Sequence, residues 1–348
     1  MRQAGTANPA RMAALVRAAA ARLELNLSGL CVLTEAASGP FVVTPVIAAA
    51  AGADRVLALT RDSSFASADA VIQQARALEL LCGLPETIEI HQQRTPELFA
   101  AADIITNLGF VRPIDSQAIA VMKPTAVAPL MCESWEYRPG DVDLEACARK
   151  GIPVMGTDED HPKVRVFDNS GWLAIKMLLE AEIEVFKSQV LVVGTDKFRP
   201  VIAKQLTQAG SRAIEADTLI NLAPETLAEL DAILVADYTR RDTIIGQVGD
   251  ISPARLSELA PHVTVIEFAG VIDVAGLKTQ GIHVYPGIGL QPRRMAFTLA
   301  ELGPRPVIDL HAAGLRVGQA LAEARLKLSL DLEQTVQYAL DASPAQVL

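Results

Sequence analysis

Short runs of β-branched and aliphatic residues alternate along this chain with longer segments that carry apolar residues at helical spacing. This alternation is typical of βαβ units, in which the strands lie parallel and helices cover the sheet. We therefore predict an α/β fold with two open parallel sheets. The first series of predicted strands is LCVLT (30–34), RVLALT (55–60), TIEI (87–90), DIITNL (103–108), AVAPLM (126–131) and IPVMG (152–156); the second is QVLVVG (189–194), RAIEAD (212–217), AILVAD (232–237), TVIEFAG (264–270) and IHVYP (282–286).

The two series are separated by TDEDHPKVRVFDNSG (157–171), where the apolar periodicity is lost and charges accumulate. A chain of 348 residues also fits two domains better than one. We predict an N-terminal α/β domain at 1–160 and a second α/β domain at 161–310. A long last helix is expected from about His311, and residues 311–348 are expected to pack back near the first domain.

Charge and cysteine content exclude several classes of function. A formal net charge of -10 argues against a nucleic-acid or anionic-membrane surface, which needs clustered cations. No apolar run reaches the ~18 residues of a membrane span, and the N-terminal stretch MRQAGTANPARMAALVRAAAARLEL suits an amphipathic first helix better than a transit peptide. The four cysteines form no CxxC pair, which suits a reducing cytoplasm. We expect a cytoplasmic protein with a small-molecule substrate.

The stretch VLVVGTDKFRPVIAKQL (190–206) reads as strand, turn and helix, the local order of a dinucleotide-binding turn. Gly194 fits the first glycine of that turn, but Asp196 and Arg199 stand where the other two belong. The helix N-terminus still favours an anion, and Arg199 could reach a phosphate. Asp217 follows at about the ~20-residue distance of an acid that binds ribose hydroxyls, unless it simply caps the next helix. NAD is the predicted cofactor, with a lost or different cofactor as the alternative.

Three segments resemble the D-isomer-specific 2-hydroxyacid dehydrogenases of the formate/glycerate dehydrogenase superfamily, over roughly residues 100–286. These segments are DVDLEACARKGIPVMGT from residue 141, QVLVVGTDKFRPVIAKQLTQAGSRAIEAD from 189 and ISPARLSELAPHVTVIEFAGVIDVAGLKTQGIHVY from 251. The resemblance implies a flavodoxin-like substrate-type domain followed by a Rossmann-like nucleotide-binding domain, hydride transfer and a homodimer. The cofactor-binding residues it implies are Gly194, Thr195, Lys197, Arg199, Asp217 and Gly270.

The chain departs from this family at its substrate and catalytic motifs. MCESWEYRPG (131–140) replaces the Gly-x-Gly turn that binds the substrate carboxylate, and Ala269 replaces the arginine before Gly270. The family's later acid and its Pro-His histidine have no match. We therefore expect a substrate other than a simple 2-hydroxy acid. Glu133 and Glu136 are the predicted acid/base pair, although Glu136 could instead pair with Arg138, and His311 is a further catalytic candidate.

Polar residues at the carboxyl ends of the predicted strands are the substrate-binding candidates, because ligands of open α/β sheets bind there. Thr34 with Glu35, Arg61, Asn107 and Arg112 are expected to line a cleft between the domains, and capped helix starts and solvated loops are the alternative. Trp135 could stack on a flat ligand, and Arg293 and Arg294 could clamp a phosphate or carboxylate. The acids of TDEDHP (157–162) are interpreted as a solvated hinge, so no metal is predicted.

The sequence thus predicts a divergent NAD(H)-dependent oxidoreductase that acts on a small polar metabolite in an interdomain cleft. One alternative is a degenerate dehydrogenase-like binding or scaffold protein without redox activity. Another is a lyase or hydrolase that uses bound NAD.

Overall fold

The computed structural model describes residues 8–348, which form two compact units. The first unit combines the chain up to Val166 with Gly303–Leu348, and the second unit is Phe167–Leu302. In chain order the elements are α1 (Pro9–Arg22), β1 (Cys31–Glu35), α2 (Val43–Ala50), β2 (Arg55–Leu59), α3 (Ala68–Leu81), β3 (Ile88–His91), α4 (Pro96–Ala101), β4 (Ile104–Ile105), α5 (Ser116–Val121), β5 (Ala128–Pro129), α6 (Leu144–Lys150), β6 (Val154–Thr157), α7 (Asn169–Glu180), β7 (Gln189–Val193), α8 (Phe198–Gln208), β8 (Arg212–Ala216), α9 (Pro224–Ala228), β9 (Ala232–Ala236), β10 (Thr243–Ile245), α10 (Pro253–Leu259), β11 (Thr264–Ala269), β12 (Val271–Ile272), α11 (Val274–Thr279), β13 (His283–Tyr285), α12 (Pro304–Leu326), α13 (Leu332–Ala342) and β14 (Ala345–Gln346).

The first unit contains a parallel sheet in the order β3-β2-β1-β4. Backbone hydrogen bonds from Ile105 N to Val127 O and from Val127 N to Asp103 O connect β4 to the segment that enters β5. β5 pairs in parallel with β6, and β14 adds an antiparallel edge. Without the edge strand β3, the order β2-β1-β4-β5-β6 is that of flavodoxin-like sheets. The predicted parallel α/β fold of this part of the chain is confirmed.

Helices α1 and α12 cover the first unit. Asn8 caps α1 through its side-chain oxygen, which accepts the backbone N–H of Ala10 and Arg11, and the apolar face of α1 is buried, as the amphipathic pattern predicts. α12 packs against α1 and α2 and is buried along most of its length. It begins at Pro304, earlier than the predicted His311, because prolines are well tolerated in the first helical turn.

The second unit contains five parallel strands in the order β13-β11-β9-β7-β8. The chain leaves β7 toward β8 on one side and continues with β9 on the other, so the strand order reverses between β7 and β9. The carboxyl ends of strands at such a reversal form the ligand crevice of open α/β sheets. The Rossmann-like arrangement predicted for this part of the chain is confirmed. The short pair β10 and β12 was not predicted.

No helix in the part of the chain that the structure describes is long and apolar enough to span a membrane.

Candidate functional site

The turn after β7 has the tight backbone approach that the sequence predicts. β7 is buried, and Gly194 follows it against the end of β9. A Cβ at residue 194 would collide with the carbonyl oxygen of Ala236, so only glycine fits without moving one strand. Gly194 therefore sets the distance between two neighbouring turns.

Asp196 places its carboxylate between these two turns. One oxygen accepts the backbone N–H of Phe198, the first residue of α8, at 3.0 Å. The other accepts the backbone N–H of Tyr238 at 2.6 Å and of Thr239 at 3.3 Å, both in the turn after β9. Burial raises the pKa of the Asp196 carboxyl above its ordinary value. A carboxylate thus lies where the second glycine of a dinucleotide-binding turn would admit a pyrophosphate.

Asp237 makes the reciprocal connection from the turn after β9. Its Oδ2 accepts the backbone N–H of Thr195 at 2.9 Å and the Thr195 hydroxyl at 2.8 Å. Its Oδ1 accepts the hydroxyl of Thr239 at 3.1 Å and the backbone N–H of Arg240 at 3.0 Å. Asp237 is almost fully buried, and its sequence context gave no sign of this role. Thr195, a predicted cofactor residue, is thereby bonded within the protein.

Arg199 and Asp217 are bonded to each other. Arg199 Nη1 donates to the carbonyl oxygen of Gly194 at 2.7 Å and pairs with Asp217 Oδ1, while Nε lies 3.3 Å from Glu215. Asp217 does not cap a helix, because the next helix begins at Pro224 with Ala223 as its N-cap.

The two remaining predicted cofactor residues also have structural contacts. Lys197 Nζ lies 3.9 Å from the ring centroid of Phe167. Gly270 adopts a φ of 109°, where a Cβ would come within 3.1 Å of Asp237 O.

These contacts do not fit a dinucleotide bound at the turn in the usual way. The N–H groups that would bind a pyrophosphate already bond to carboxylates, and the cation that could pair with it is bonded to acids. A bound pyrophosphate would also meet the charges of Asp196 and Asp237, and like charges at short distance are strongly unfavourable.

A second group of predicted residues meets at the carboxyl ends of β1, β2 and β4 in the first unit. Glu35 ends β1, is buried, and accepts the backbone N–H of Phe110 at 2.7 Å. Burial raises the pKa of the Glu35 carboxyl, and the charges of Arg112 and Arg61 act on it in the opposite direction. Gly109 leaves room next to the Glu35 carboxyl, because a Cβ at residue 109 would lie only 3.1 Å from Glu35 Oε2.

Each guanidinium beside Glu35 has a support. Arg112 Nη1 pairs with Asp141 at 2.5 Å, and both side chains are about one quarter exposed. Arg61 is exposed, and its Cζ lies 5.0 Å from the ring centroid of Phe110. Arg61 thus lies against the ring of Phe110, the residue that bonds to Glu35, and the charges of Arg61 and Arg112 both act on the Glu35 carboxyl. The sequence signal for Glu35 is its position just after the predicted strand LCVLT (30–34), and the structure includes it as the last residue of β1.

Thr34 and Asn107 lie near this group but make structural bonds. The hydroxyl of Thr34 accepts that of Thr106 at 3.0 Å. Asn107 Oδ1 accepts the backbone N–H of Met131 at 2.7 Å, and Nδ2 lies 3.9 Å from Cys132 Sγ. Burial raises the pKa of the Cys132 thiol to about 12, so this sulfur is protonated at neutral pH.

The loop MCESWEYRPG is held by its own carboxylates. Glu133 is fully buried, and its oxygens accept the indole N–H of Trp135, the backbone N–H of Glu159 at 3.2 Å and the side-chain amide of Gln346 at 3.4 Å. Glu136 accepts the backbone N–H of Glu133 at 3.2 Å, which completes a capping box around the short turn Ser134–Glu136. Both predicted acid/base residues therefore hold the loop in place.

Within the described residues, carboxylate oxygens of Glu133, Asp158 and Asp160 lie within 4.8 Å of one another. Gln346 Nε2 also contacts Asp158 at 3.4 Å, and the backbone N–H of Asp160 bonds to the same oxygen. The carboxylates of Glu133 and Asp158 are thus bonded within the protein, and we assign no metal to the group.

His311 is buried in α12, where Nδ1 lies 2.6 Å from the hydroxyl of Thr44. Burial lowers the pKa of His311 to about 4, so the imidazole is neutral at physiological pH. Arg293 and Arg294 lie in the second unit on a segment whose Met295 bridges to Ala269 at the end of β11. They are therefore in a different unit from the group around Glu35.

Comparison with solved structures identifies proteins of the same fold. A dipicolinate synthase subunit from Bacillus halodurans is 12% identical, with a TM-score of 0.53 over 82% of this chain and 96% of that one. A dipicolinate synthase chain from Bacillus subtilis is 13% identical, with a TM-score of 0.53 over 87% and 99%. The chain therefore shares the fold of these two proteins, with a parallel α/β sheet in each of its two units.

Structures of D-2-hydroxyacid dehydrogenases also match, at lower TM-scores. One is NAD-dependent formate dehydrogenase from Staphylococcus aureus in complex with NAD, 13% identical, with a TM-score of 0.44 over 74% of this chain and 92% of that one. No protein-family model matches the chain, and no curated protein does. At these identities the likeness is one of fold.

Proposed function

We propose that the protein binds a small anionic metabolite at the carboxyl edge of the first unit's sheet and exchanges a proton with it through Glu35. The observation that carries this proposal is a buried carboxyl of raised pKa beside two arginines, at the strand ends where open α/β sheets bind ligands. Carboxyls with perturbed pKa values concentrate at functional sites.

The three side chains suit different roles. Arg61 is exposed, so its guanidinium can meet a carboxylate or phosphate arriving from solvent with paired hydrogen bonds. Arg112, fixed by Asp141, keeps positive charge beside the carboxyl. A Glu35 carboxyl that holds its proton to higher pH than an ordinary glutamate can donate it to a bound ligand and accept it back. The geometry therefore supports proton-transfer chemistry on an anionic ligand.

The names of the two synthase proteins point to dipicolinate, a dicarboxylate. One carboxylate of such a ligand could meet Arg61, and the charge of Arg112 would favour the other. Dicarboxylates are accordingly the first compounds to test.

A second candidate is the NAD(H)-dependent oxidoreductase that the sequence predicts. The Rossmann-like strand order and the start of α8 after Gly194 favour it. It requires the bonds of Asp196 and Asp237 across the turn to open, which is why we place it second. A lyase or hydrolase that uses bound NAD would have the same requirement. The homodimer implied by the family resemblance stays a prediction, which light scattering on the purified protein would test.

The test is a thermal and calorimetric titration with dipicolinate, malate, oxalate and inorganic phosphate. We expect at least one of these anions to raise the melting temperature of the wild-type protein and Arg61→Ala to lose that shift. The matched control is Arg55→Ala. Arg55 is the first residue of β2, at the amino ends of the strands and away from the proposed site, and it pairs with Glu89. The absence of any shift in the wild type, or an equal loss in both variants, would contradict the proposal.

A further inference from the structure

The two turns at the strand-order reversal of the second unit exchange carboxylate bonds. Asp196, after β7, accepts N–H groups from the turn after β9, and Asp237, after β9, accepts N–H and O–H groups from the turn after β7. The bonded residues are 42 or 43 positions apart in the sequence. The exchange therefore connects the two turns in both directions.

We infer that the carboxylate of Asp196 takes the place of a nucleotide phosphate, so that the wild-type protein does not bind a dinucleotide at this turn. A helix N-terminus binds phosphate through its free N–H groups and its dipole. Here the N–H of Phe198 at the start of α8 bonds to Asp196, and the N–H of Thr195 bonds to Asp237. The protein supplies its own anion to the donors that a phosphate would use.

The surrounding charges oppose a second anion. A pyrophosphate entering the turn would lie beside Asp196 and Asp237. Its negative charges and those of the two carboxylates would repel one another strongly, because the turn is partly buried and its effective dielectric constant is low. Arg199 could offset this repulsion only by leaving Gly194 O, Asp217 and Glu215. Displacing Asp196 alone would leave three backbone N–H groups without their acceptor.

A further carboxylate, that of Asp250, connects the loops after β8 and β9 at the carboxyl edge of this sheet. Asp250 accepts the Thr218 hydroxyl at 2.5 Å and the backbone N–H of Leu219 at 3.0 Å, just after β8. It also accepts two bonds, of 2.9 and 2.6 Å, from Arg240 after β9. The loops that would flank the nucleoside half of a dinucleotide are therefore bonded to each other as well. This inference concerns the second unit and is independent of the ligand proposed for the first.

The test compares wild type with Asp196→Gly, which restores a glycine at the second position of the turn. NAD, ADP and inorganic pyrophosphate are titrated into each protein by calorimetry and in thermal melts. We expect no saturable binding to the wild type up to millimolar ligand. We expect Asp196→Gly to bind pyrophosphate or ADP at least tenfold more tightly, with a rise of several degrees in its melting temperature.

The matched control is Asp231→Gly. Like Asp196, Asp231 accepts a backbone N–H through its carboxylate, but its partner is Gln189 at the amino end of β7, at 2.7 Å. We expect this variant to gain no anion binding. If Asp196→Gly does not fold, Asp196→Asn removes the charge with little change in shape, and we expect it to show the same gain more weakly.

Saturable binding of NAD, ADP or pyrophosphate to the wild type overturns the inference, and this result depends on no variant. A folded Asp196 variant that binds these ligands no better than wild type overturns it too. Arg61→Ala is expected to leave all of these titrations unchanged, so a failure of the proposed metabolite site can be told apart from a failure here.

Discussion

The Nδ1 atom of His311 lies 2.6 Å from the hydroxyl of Thr44, and both residues are buried in the first unit. Their bond connects α12, near the end of the chain, to α2 near its beginning. The burial of His311 matters for the pH dependence of stability, because it keeps the imidazole neutral.

We expect His311 to make the protein less stable in acid. Its folded pKa of about 4 lies below the ordinary 6.5, so the unfolded chain takes up a proton first as the pH falls. The contribution of His311 to the free energy of unfolding is therefore complete above pH 6.5. It is lost progressively as the pH falls to 4, by roughly 3 kcal/mol. Urea unfolding at pH 7.5 and 4.5 should show this loss in wild type and a smaller loss in His311→Gln. Thr44→Val, which keeps the imidazole, should retain most of the pH dependence.

Glu35 should have the opposite effect on stability. Burial raises the pKa of Glu35 in the folded state above the ordinary 4.5, so the folded protein keeps this proton to higher pH than the unfolded chain does. The free energy of unfolding therefore falls as the pH rises from 4.5 through the folded pKa. Glu35→Gln should thus be more stable than wild type at pH 8, and this advantage should disappear in acid. If a reaction is identified, the variant should slow it by about 10²–10⁴-fold.

Glu89 provides the contrast for Glu35. Its bond to Arg55 lowers its pKa, and its side chain is 43% exposed, in contrast to the buried Glu35. Glu89→Gln should change the free energy of unfolding by less than about 1 kcal/mol, toward lower stability at neutral pH. An equal stabilisation of both variants at pH 8 would refute the assignment of the effect to Glu35.

Gly194→Ala should destabilise the second unit. The new Cβ would collide with the backbone carbonyl of Ala236, so β7 or β9 must shift, at a cost of roughly 2–3 kcal/mol or more. The matched change is Gly83→Ala, where φ is 72° but no atom lies within 4 Å of the added Cβ. That variant should lose only ~1 kcal/mol, from backbone strain alone. Chemical denaturation of the two variants measures the difference.

Asp250 and Asp242 offer a comparison around one arginine. Both pair with Arg240, but the side chain of Asp250 is 2% exposed and that of Asp242 is 73% exposed. Asp250→Ala removes the acceptor that the partly buried guanidinium of Arg240 and the two loops share. This should lower the free energy of unfolding by about 3–5 kcal/mol. Asp242→Ala should cost less than ~1 kcal/mol. Similar losses in the two variants, measured by urea unfolding, would mean that the bridge between the loops contributes little.

Local sequence pattern was enough to predict the main strands, because each is a short apolar run closed by a turn residue. β7 and Gly194 are one example, and both lie where the pattern predicts them. The pairs β10 with β12 and β14 with β6 involve two or three residues each, too few to show any period.

The candidate site was less accessible to sequence reasoning, because its chemistry depends on distant partners. Asp196 is an unusual residue for such a turn, yet nothing near it in the sequence indicates that its carboxylate bonds to the turn 42 residues later. The acidic and aromatic neighbours of Glu133 indicate a reactive cluster, whereas its bonding partner Gln346 lies 213 positions away in the sequence. Side chains that join separate loops leave no periodic trace in either loop.

The first unit is assembled from both ends of the chain, with α12 against α1 and α2 and β14 beside β6. During synthesis, the whole of Phe167–Leu302 leaves the ribosome before Gly303–Leu348, the segment that completes the first unit, has emerged. The second unit is therefore able to finish folding first, although it begins later in the gene. Until α12 emerges, the faces of α1 and α2 that it covers remain exposed to solvent. A ribosome-bound chain stopped after Leu302, with a linker long enough to clear the exit tunnel, should resist protease in its second unit and be cut in its first.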